Sequence, residues 1–235
     1  MATDLRGKVA VVTGSSNGIG AETAIAFARE GARVVITYKH DRKSGEMVAA
    51  RCRAAGALAV LTLQLDICSD DSIQDAVRKI IASFGHIDVL VNNAGMLTSK
   101  SLQNQTYRDI DLQICANITG LIKMTRACLV FIRGAIINIG SGAGKNGYAE
   151  LSVYCATKFA VRGFTQSLAQ EVQVPVYCVN PGMTATRMTN FKGVPSPQVA
   201  AVIVQAAKGY YEIPSGSDID LWKVLEQTQT DTHAA

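Results

Sequence analysis

"VAVVTGSSNGIGAETAIAFAREGARVVITY", residues 9–38, carries the clearest structural pattern in this sequence. It begins with an apolar strand pattern, passes through a glycine-rich turn into a segment of helical periodicity, and ends with a second apolar strand pattern. Strands that are apolar without alternation are buried on both faces, as parallel strands beneath crossover helices must be. The stretch therefore predicts two parallel strands joined by a helix.

The same alternation continues along most of the chain. Further strands are predicted at residues 58–65, 87–92, 135–140 and 174–180. Further helices are predicted at residues 43–55, 70–84, 101–131, 152–172 and 197–208. This pattern predicts one α/β domain over residues 1–235, a Rossmann-like doubly wound parallel sheet with helices on both faces. Near the end, a short strand is predicted at 209–214, and the polar tail from about 226 is expected to fray.

Composition narrows the class of partner. The 235 residues are 48% hydrophobic and 18% charged, with a formal net charge of +4 and no run of basic residues. We therefore expect small-molecule partners and neither nucleic acid nor a membrane surface. Charged residues precede the first strand, and Lys123 and Arg126 interrupt the longest apolar stretch, so neither a signal peptide nor a membrane span is expected. Six cysteines without a C-x-x-C spacing favour a reducing, cytoplasmic location, and no metal site is expected.

The glycine-rich turn has two interpretations. Glycines between a strand and a helix let the backbone approach a pyrophosphate, whose charge the helix amides favour. Residues 14–18 also match G-x-S-x-G, the nucleophile elbow of α/β hydrolases, with Ser16 as the nucleophile. That alternative needs a late histidine, and the only ones are His40, His86 and His233, the last in the polar tail. Dinucleotide binding is therefore the favoured interpretation.

Six motifs in order and spacing resemble the short-chain dehydrogenase/reductase family over roughly residues 5–210. They are "TGSSNGIG" at 13–20, "NNAG" at 92–95, Asn117, Ser141, "YCATK" at 154–158 and "NPG" at 180–182. The resemblance implies hydride transfer between a nicotinamide and a carbonyl or alcohol, most simply by an NADPH-dependent reductase of ketones or 3-oxoacyl compounds. It also implies a homodimer or homotetramer built on the two longest helices. A non-catalytic dinucleotide-binding regulator is the alternative.

The resemblance assigns four catalytic residues. Tyr154 would exchange a proton with the substrate oxygen, and Lys158, one helical turn away, would lower the phenol pKa from its ordinary value of about 10. Ser141, thirteen residues before Tyr154, would donate a hydrogen bond to the carbonyl. Asn117 corresponds to a family residue that holds a water in a proton relay. Each residue alone is ordinary polar surface or turn, and only their joint spacing favours chemistry.

The resemblance also implies contacts to the cofactor. Asp66 would meet the adenine amino group, and Thr186 would lie near the nicotinamide amide. The residues expected to contact the cofactor are Gly14, Ser16, Asn17, Gly18, Ile19, Gly20, Tyr38, Lys39, Asp66, Ile67, Asn93, Ala94, Gly95, Tyr154, Lys158, Pro181, Gly182, Thr184 and Thr186.

The end of the second strand bears on the choice of cofactor. An enzyme that uses NAD often has a carboxylate there, which would repel an added phosphate. This chain has Tyr38, followed by Lys39, Arg42 and Lys43, whose charges suit the 2′-phosphate of NADP. Asn17 stands where many NADP-using relatives have a second basic residue. NADP is therefore expected, with NAD possible.

Two departures from the family pattern concern the substrate. Only some ten residues separate Thr186 from the helix near 197, where relatives usually carry a longer lid, so an open substrate site is expected. The usual glycine-rich C-terminal ending is replaced by "SGSDIDLWKVLE", in which Trp222 is expected in the core.

Overall fold

A computed structural model describes the backbone of residues 2–233 and the side chains of residues 2–227. Seven strands form one sheet in the order β3-β2-β1-β4-β5-β6-β9, and all six pairings are parallel. The strands are β1 Val9–Val12, β2 Arg33–Tyr38, β3 Ala59–Gln64, β4 Ile87–Asn92, β5 Ile132–Ile139, β6 Val176–Asn180 and β9 Asp218–Asp220. Two short strands, β7 Thr184–Ala185 and β8 Val194–Pro195, pair with each other apart from it. The predicted fold class is confirmed.

Helices cover both faces of the sheet. They are α1 Gly18–Arg29, α2 Arg42–Ala55, α3 Asp70–Phe84, α4 Tyr107–Ile114, α5 Gly120–Cys128, α6 Ser152–Glu171, α7 Ser196–Ala207 and α8 Leu221–His233. One hydrophobic core joins the sheet to α1, α2 and α7, and a second joins its other face to α3, α5 and α6. Alternate residues of β1 enter the two cores, Ala10 the first and Val9 the second, which explains why this strand is apolar throughout.

The long helix predicted at 101–131 is interrupted. A capping box made by Thr106 and Asp109 starts α4, and a π-helical turn at Cys115–Thr119 separates α4 from α5. Hydrophobic periodicity does not show these breaks because the apolar face continues across them. Contrary to expectation, the helical stretch Tyr107–Phe131 is long and apolar enough to cross a membrane by length and composition. In the fold, its residues Leu121, Met124 and Cys128 are buried within the protein.

The prediction of a strand at 209–214 is wrong. Gly209 and Glu212 both have positive φ, which breaks the extended backbone, and the segment forms a turn. The last strand of the sheet is instead β9, which pairs with β6 and leads directly into α8. The backbone from 226 to 233 continues α8, so the fraying expected there stays a prediction.

Candidate active site

A cavity of about 810 Å³ lies at the carboxyl edge of the sheet. This edge is where an open parallel sheet binds ligands. Seventeen of the nineteen predicted cofactor residues line it. They are Gly14, Ser16, Asn17, Gly18, Ile19, Lys39, Asp66, Ile67, Asn93, Ala94, Gly95, Tyr154, Lys158, Pro181, Gly182, Thr184 and Thr186. Ser141 lines it too, so three of the four predicted catalytic residues meet in the same cavity.

The glycine turn and the turn after β4 are packed against each other. Thr13 Oγ1 accepts hydrogen bonds from the backbone N–H groups of Asn93 and Ala94, both at 2.9 Å. Gly14 has φ +62°, and a Cβ there would lie 2.9 Å from Ala94 Cα. A Cβ on Gly20 would lie 2.4 Å from Asn93 Nδ2. Gly20 does not line the cavity and contributes close packing of the turn, and its predicted cofactor contact stays a prediction.

The catalytic end of the cavity contains a buried lysine. Lys158 is only 6% exposed, and its Nζ donates a hydrogen bond to the Ile139 carbonyl at 2.8 Å. Nζ lies 5.6 Å from the centroid of the Tyr154 ring. The hydroxyl of Ser141 is within hydrogen-bonding reach of the Tyr154 phenol, and its oxygen accepts from the Ala143 N–H at 3.1 Å. The spacing of Ser141, Tyr154 and Lys158 along the chain therefore does bring their side chains together.

The pKa of Tyr154 differs from the expectation. Burial raises it to about 12, and the hydrogen bond from Ser141 offsets only part of this rise. Burial also lowers the pKa of Lys158 to about 8. The predicted lowering of the phenol pKa by Lys158 is not seen in the protein alone, where burial of the phenol dominates its pKa. At neutral pH, Tyr154 keeps its proton and can donate it.

Asn117 lies behind the cavity wall instead of facing the cavity. It is buried in the π-helical turn, and its side chain bonds to the backbone N–H and carbonyl of Met96, both at 2.8 Å. Its amide also donates to Thr157 Oγ1 at 3.0 Å, and this hydroxyl donates to the Tyr154 carbonyl. The side chain thus joins the segment after β4 to the helix that carries Tyr154. The predicted water relay stays a prediction.

At the opposite end of the cavity, Lys39 pairs with Asp66. Lys39 Nζ lies 3.0 Å from Asp66 Oδ2, and Asp66 Oδ1 accepts from the Cys68 N–H at 3.0 Å. Burial alone would raise the pKa of Asp66, but these hydrogen bonds outweigh it and hold the pKa below its ordinary value. Tyr38 does not line the cavity and packs over Gly45, so the predicted cofactor contact by Tyr38 stays a prediction that the cavity does not support.

The residues of this cavity fit a nicotinamide dinucleotide. The turn at the start of α1 offers backbone amides to a pyrophosphate, and a Cβ on Gly18 would lie within 3.3 Å of Thr186 Cγ2. Lys39 and Asp66 stand at one end, and the Tyr154 phenol stands at the other. Such a site can hold an adenosine phosphate at the first end and a reacting ring at the second.

Sequence reasoning missed the apolar lining. Several side chains share no motif and yet face the cavity: Met96, Leu97, Leu112, Leu151, Met183 and Met188. The exposed Tyr148 also lines it. Most of these residues follow strand ends or lie on loops, where apolar periodicity gives no signal. No histidine lines the cavity among the residues that the structure describes, so the site does not support a hydrolase that uses Ser16.

Known proteins resemble this chain in sequence and in fold. Residues 8–194 match the family model for short chain dehydrogenases. A 3-oxoacyl-(acyl-carrier-protein) reductase from Synechocystis is 37% identical over 194 residues, which are 80% of this chain and 78% of that protein. An NADP-dependent 3-hydroxy acid dehydrogenase from Schizosaccharomyces pombe is 33% identical over 193 residues, 79% of this chain and 74% of that protein.

A solved structure of a short chain dehydrogenase from Burkholderia cenocepacia, in complex with NADP, superposes with a TM-score of 0.87 at 30% identity. The match covers 93% of this chain and 97% of that one. Agreement of sequence and fold over most of the chain shows that this protein is an oxidoreductase of the short chain dehydrogenase family.

Proposed function

We propose that this protein is an NADPH-dependent carbonyl reductase. The observation that carries the proposal is the grouping of the Tyr154 phenol with the Ser141 hydroxyl and the buried Lys158 ammonium, in a cavity that fits a dinucleotide. Reduction of a carbonyl requires a proton donor at its oxygen, and a phenol with a pKa of about 12 is in the donating form at neutral pH. Oxidation of an alcohol would instead require the phenolate.

Each residue has a separate task in this reaction. Ser141 donates a hydrogen bond to the substrate carbonyl and stabilises the charge that develops on its oxygen. Tyr154 then transfers its proton to that oxygen, and the ammonium of Lys158 stabilises the phenolate that remains. Asn117 holds the segment after β4 against α6. When bound in this cavity, a reduced nicotinamide would supply the hydride to the carbonyl carbon.

The substrate class we propose is a ketone or a 3-oxoacyl compound. Support comes from the apolar lining of the cavity and from the relative in Synechocystis, which is named a 3-oxoacyl-(acyl-carrier-protein) reductase. Met96, Met183 and Met188 are unbranched and adaptable, which suits flexible apolar chains. Oxidation of NADPH across a panel of carbonyl compounds, beginning with ethyl 3-oxobutanoate, tests this class. Turnover of polar sugars alone would refute it.

NADPH is expected to stabilise the fold more than NADH at equal concentration. Asp66 holds Lys39 at the cavity wall, where its charge can meet a 2′-phosphate, and Tyr38 provides no repelling carboxylate. A ligand raises the melting temperature according to its affinity for the folded state. Thermal melting of the wild type and of Lys39→Ala, with each cofactor, measures the preference.

The matched control is Lys79→Ala, because Lys79 forms an ion pair with Asp75 on the surface of α3, away from the cavity. Lys39→Ala should reduce the difference between the two cofactors, whereas Lys79→Ala should leave it unchanged. An equal or larger shift with NADH in the wild type would overturn the assignment.

We also propose a cytoplasmic homodimer or homotetramer. The helices expected at the interface carry exposed apolar side chains, among them Tyr107 on α4, at 88% exposure, and Phe159 on α6. Burying such side chains between subunits would stabilise an assembly. A monomeric mass by light scattering would refute the oligomer.

A further inference from the structure

Beneath the catalytic end lies a polar cluster that the proposed mechanism does not use. It consists of the carboxylates Asp218 and Asp220 on β9 with the cations Lys145 and Arg162, and we call it the C-terminal carboxylate cluster. Lys145 Nζ lies 2.6 Å from Asp220 Oδ2 and 3.3 Å from Asp218 Oδ2. Arg162 contacts both oxygens of Asp218, at 2.6 to 3.1 Å.

Both carboxylates of the cluster have charged or polar partners. Burial alone would raise the pKa of Asp218, but hydrogen bonds from Arg162 and Asn180 outweigh it and hold the pKa below its usual value. Asp220 is 5% exposed, and its oxygens face the Lys145 ammonium and the Asn180 amide. Lys223 Nζ also lies 3.6 Å from Asp220 Oδ2, so three cations surround the two carboxylates in a partly buried setting, where unpaired groups are costly.

Asn180 connects this cluster to the active site. In the sheet, Asn180 on β6 stands opposite Asp220 on β9, so their side chains lie on one face. Asn180 Nδ2 donates to Asp218 Oδ1 and to Asp220 Oδ1, both at 3.0 Å. Its oxygen accepts the backbone N–H of Ser141 at 3.2 Å.

The two carboxylates decide which way this amide faces. If the amide were reversed, its oxygen would meet two negative charges, and its NH2 group would meet the N–H of Ser141. The amide is completely buried, so no water can replace a lost partner. Its oxygen packs so closely against Gly140 that a Cβ there would clash with it. Asp218 and Asp220 thus place an acceptor at the backbone of Ser141.

The same C-terminal segment contacts the loop that follows Ser141. Lys145 lies on that loop, four residues beyond Ser141, and is anchored by Asp220. Trp222, expected in the core, is only partly buried, and a Cβ on Gly142 would lie 3.7 Å from its ring. Lys145 Nζ also lies 6.0 Å from the centroid of the Trp222 ring. The loop is therefore held at three points. The Asn180 amide, which the C-terminal segment orients, holds Ser141, and residues of that segment contact Gly142 and Lys145.

We propose that Asp218 and Asp220 are positioning residues for Ser141, acting through the Asn180 amide and Lys145 to hold the hydroxyl where it meets the substrate carbonyl. The inference rests on the proposed function, because it gives Ser141 its role. Neither carboxylate touches the cavity, so their effect must pass through the position of the Ser141 loop.

The test is Asp220→Asn, alone and combined with Ser141→Ala. Asparagine has nearly the shape of aspartate, but both hydrogen-bond partners of Asp220, the Asn180 NH2 and the Lys145 ammonium, are donors, and so is the more distant Lys223 ammonium. One end of the new amide must therefore face a donor with its own NH2. We expect kcat for ethyl 3-oxobutanoate, or for the best substrate of the panel, to fall about tenfold, since displacements of about 1 Å can cost up to about 10²-fold.

Several readouts separate positioning from loss of structure. KM and the melting shift produced by NADPH should stay within about twofold of the wild type, because the cofactor end is untouched. In the Ser141→Ala background, Asp220→Asn should cause no further loss of kcat, since the hydroxyl that it positions is gone. Asp75→Asn, which removes a paired carboxylate from the surface of α3, should leave kcat unchanged in both backgrounds.

The outcomes are distinct. An equal fractional loss of kcat in the wild type and in the Ser141→Ala variant overturns the positioning role and leaves the proposed function standing. Full activity of Ser141→Ala alone refutes the proposed role of Ser141 and this inference with it. If Asp220→Asn does not fold, as judged by the absence of a cooperative melting transition, Asp218→Asn in the same cycle decides, because Asp218 is likewise surrounded by donors, Asn180, Arg162 and Lys145.

Discussion

Replacing Tyr154 by phenylalanine is expected to lower kcat by about 10²- to 10⁴-fold, the usual contribution of a general acid. The substitution removes one oxygen, and the aromatic ring keeps its place above Lys158. With no proton donor at the carbonyl oxygen, the charge that develops during reduction is stabilised by Ser141 alone. NADPH affinity should change by less than about twofold, because the pyrophosphate turn and Lys39 remain.

The measurement pairs initial rates of NADPH oxidation with NADPH-dependent melting. Tyr148→Phe is the matched control, because Tyr148 also lines the cavity but lies on the loop before α6, away from Lys158. Its kcat should stay within a few-fold of the wild type. A Tyr154→Phe variant that turns over at the normal rate would refute the mechanism. A wild type that binds NADPH but reduces no compound of the panel would instead support a regulator.

Much of the fold follows from residues 9–38 alone. Continuous apolar strands separated by helices require a parallel sheet, and the glycine turn marks its carboxyl edge. The spacing of Ser141, Tyr154 and Lys158 likewise predicts that these three groups share one site, and all three line the same cavity. These features are predictable because they depend on local periodicity and on a fixed number of residues between elements.

Other features of the fold depend on packing between distant segments, and no pattern in the sequence indicates them. The π-helical turn around Asn117 continues an apolar helical face, so periodicity could not show it. The strand Asp218–Asp220 has only three residues, and two of them are acidic, which is unusual for a strand. Its carboxylates are tolerated because Asn180, some forty residues earlier in the chain, meets both of them.

The pKa of the Tyr154 phenol in the protein alone also depends on packing that the sequence does not show. Helix spacing shows that Lys158 lies near Tyr154, but the pKa depends also on how far both groups are removed from water. Burial dominates for both, raising one pKa and lowering the other. A sequence shows which charges are neighbours more readily than it shows how dry their surroundings are.

The buried lysine leads to a prediction that separates stability from activity. Burial lowers the pKa of Lys158 from 10.5 to about 8, so the folded state disfavours its charged form. Below pH 8 the lysine is charged in both states, and the folded protein bears the full penalty, about 3 kcal/mol for this shift. As the pH rises from 8 to 10.5, the unfolded chain binds more protons than the folded one, and the penalty disappears.

Lys158→Met is therefore expected to raise the free energy of unfolding at pH 7 by about 2 kcal/mol, because methionine avoids the penalty but loses the hydrogen bond to the Ile139 carbonyl. The same substitution should lower kcat by about 10²-fold or more, because no cation then stabilises the phenolate of Tyr154. The stability gain should shrink toward pH 10, where the wild-type lysine is largely neutral in the folded state. Urea unfolding at pH 7 and pH 10 measures the change in the free energy of unfolding, and rates of NADPH oxidation measure the change in kcat. Lys79→Met is the exposed control. A Lys158→Met variant that is less stable than the wild type at pH 7 would show that the buried ammonium stabilises the fold, and that the activity of this site does not come at the expense of stability.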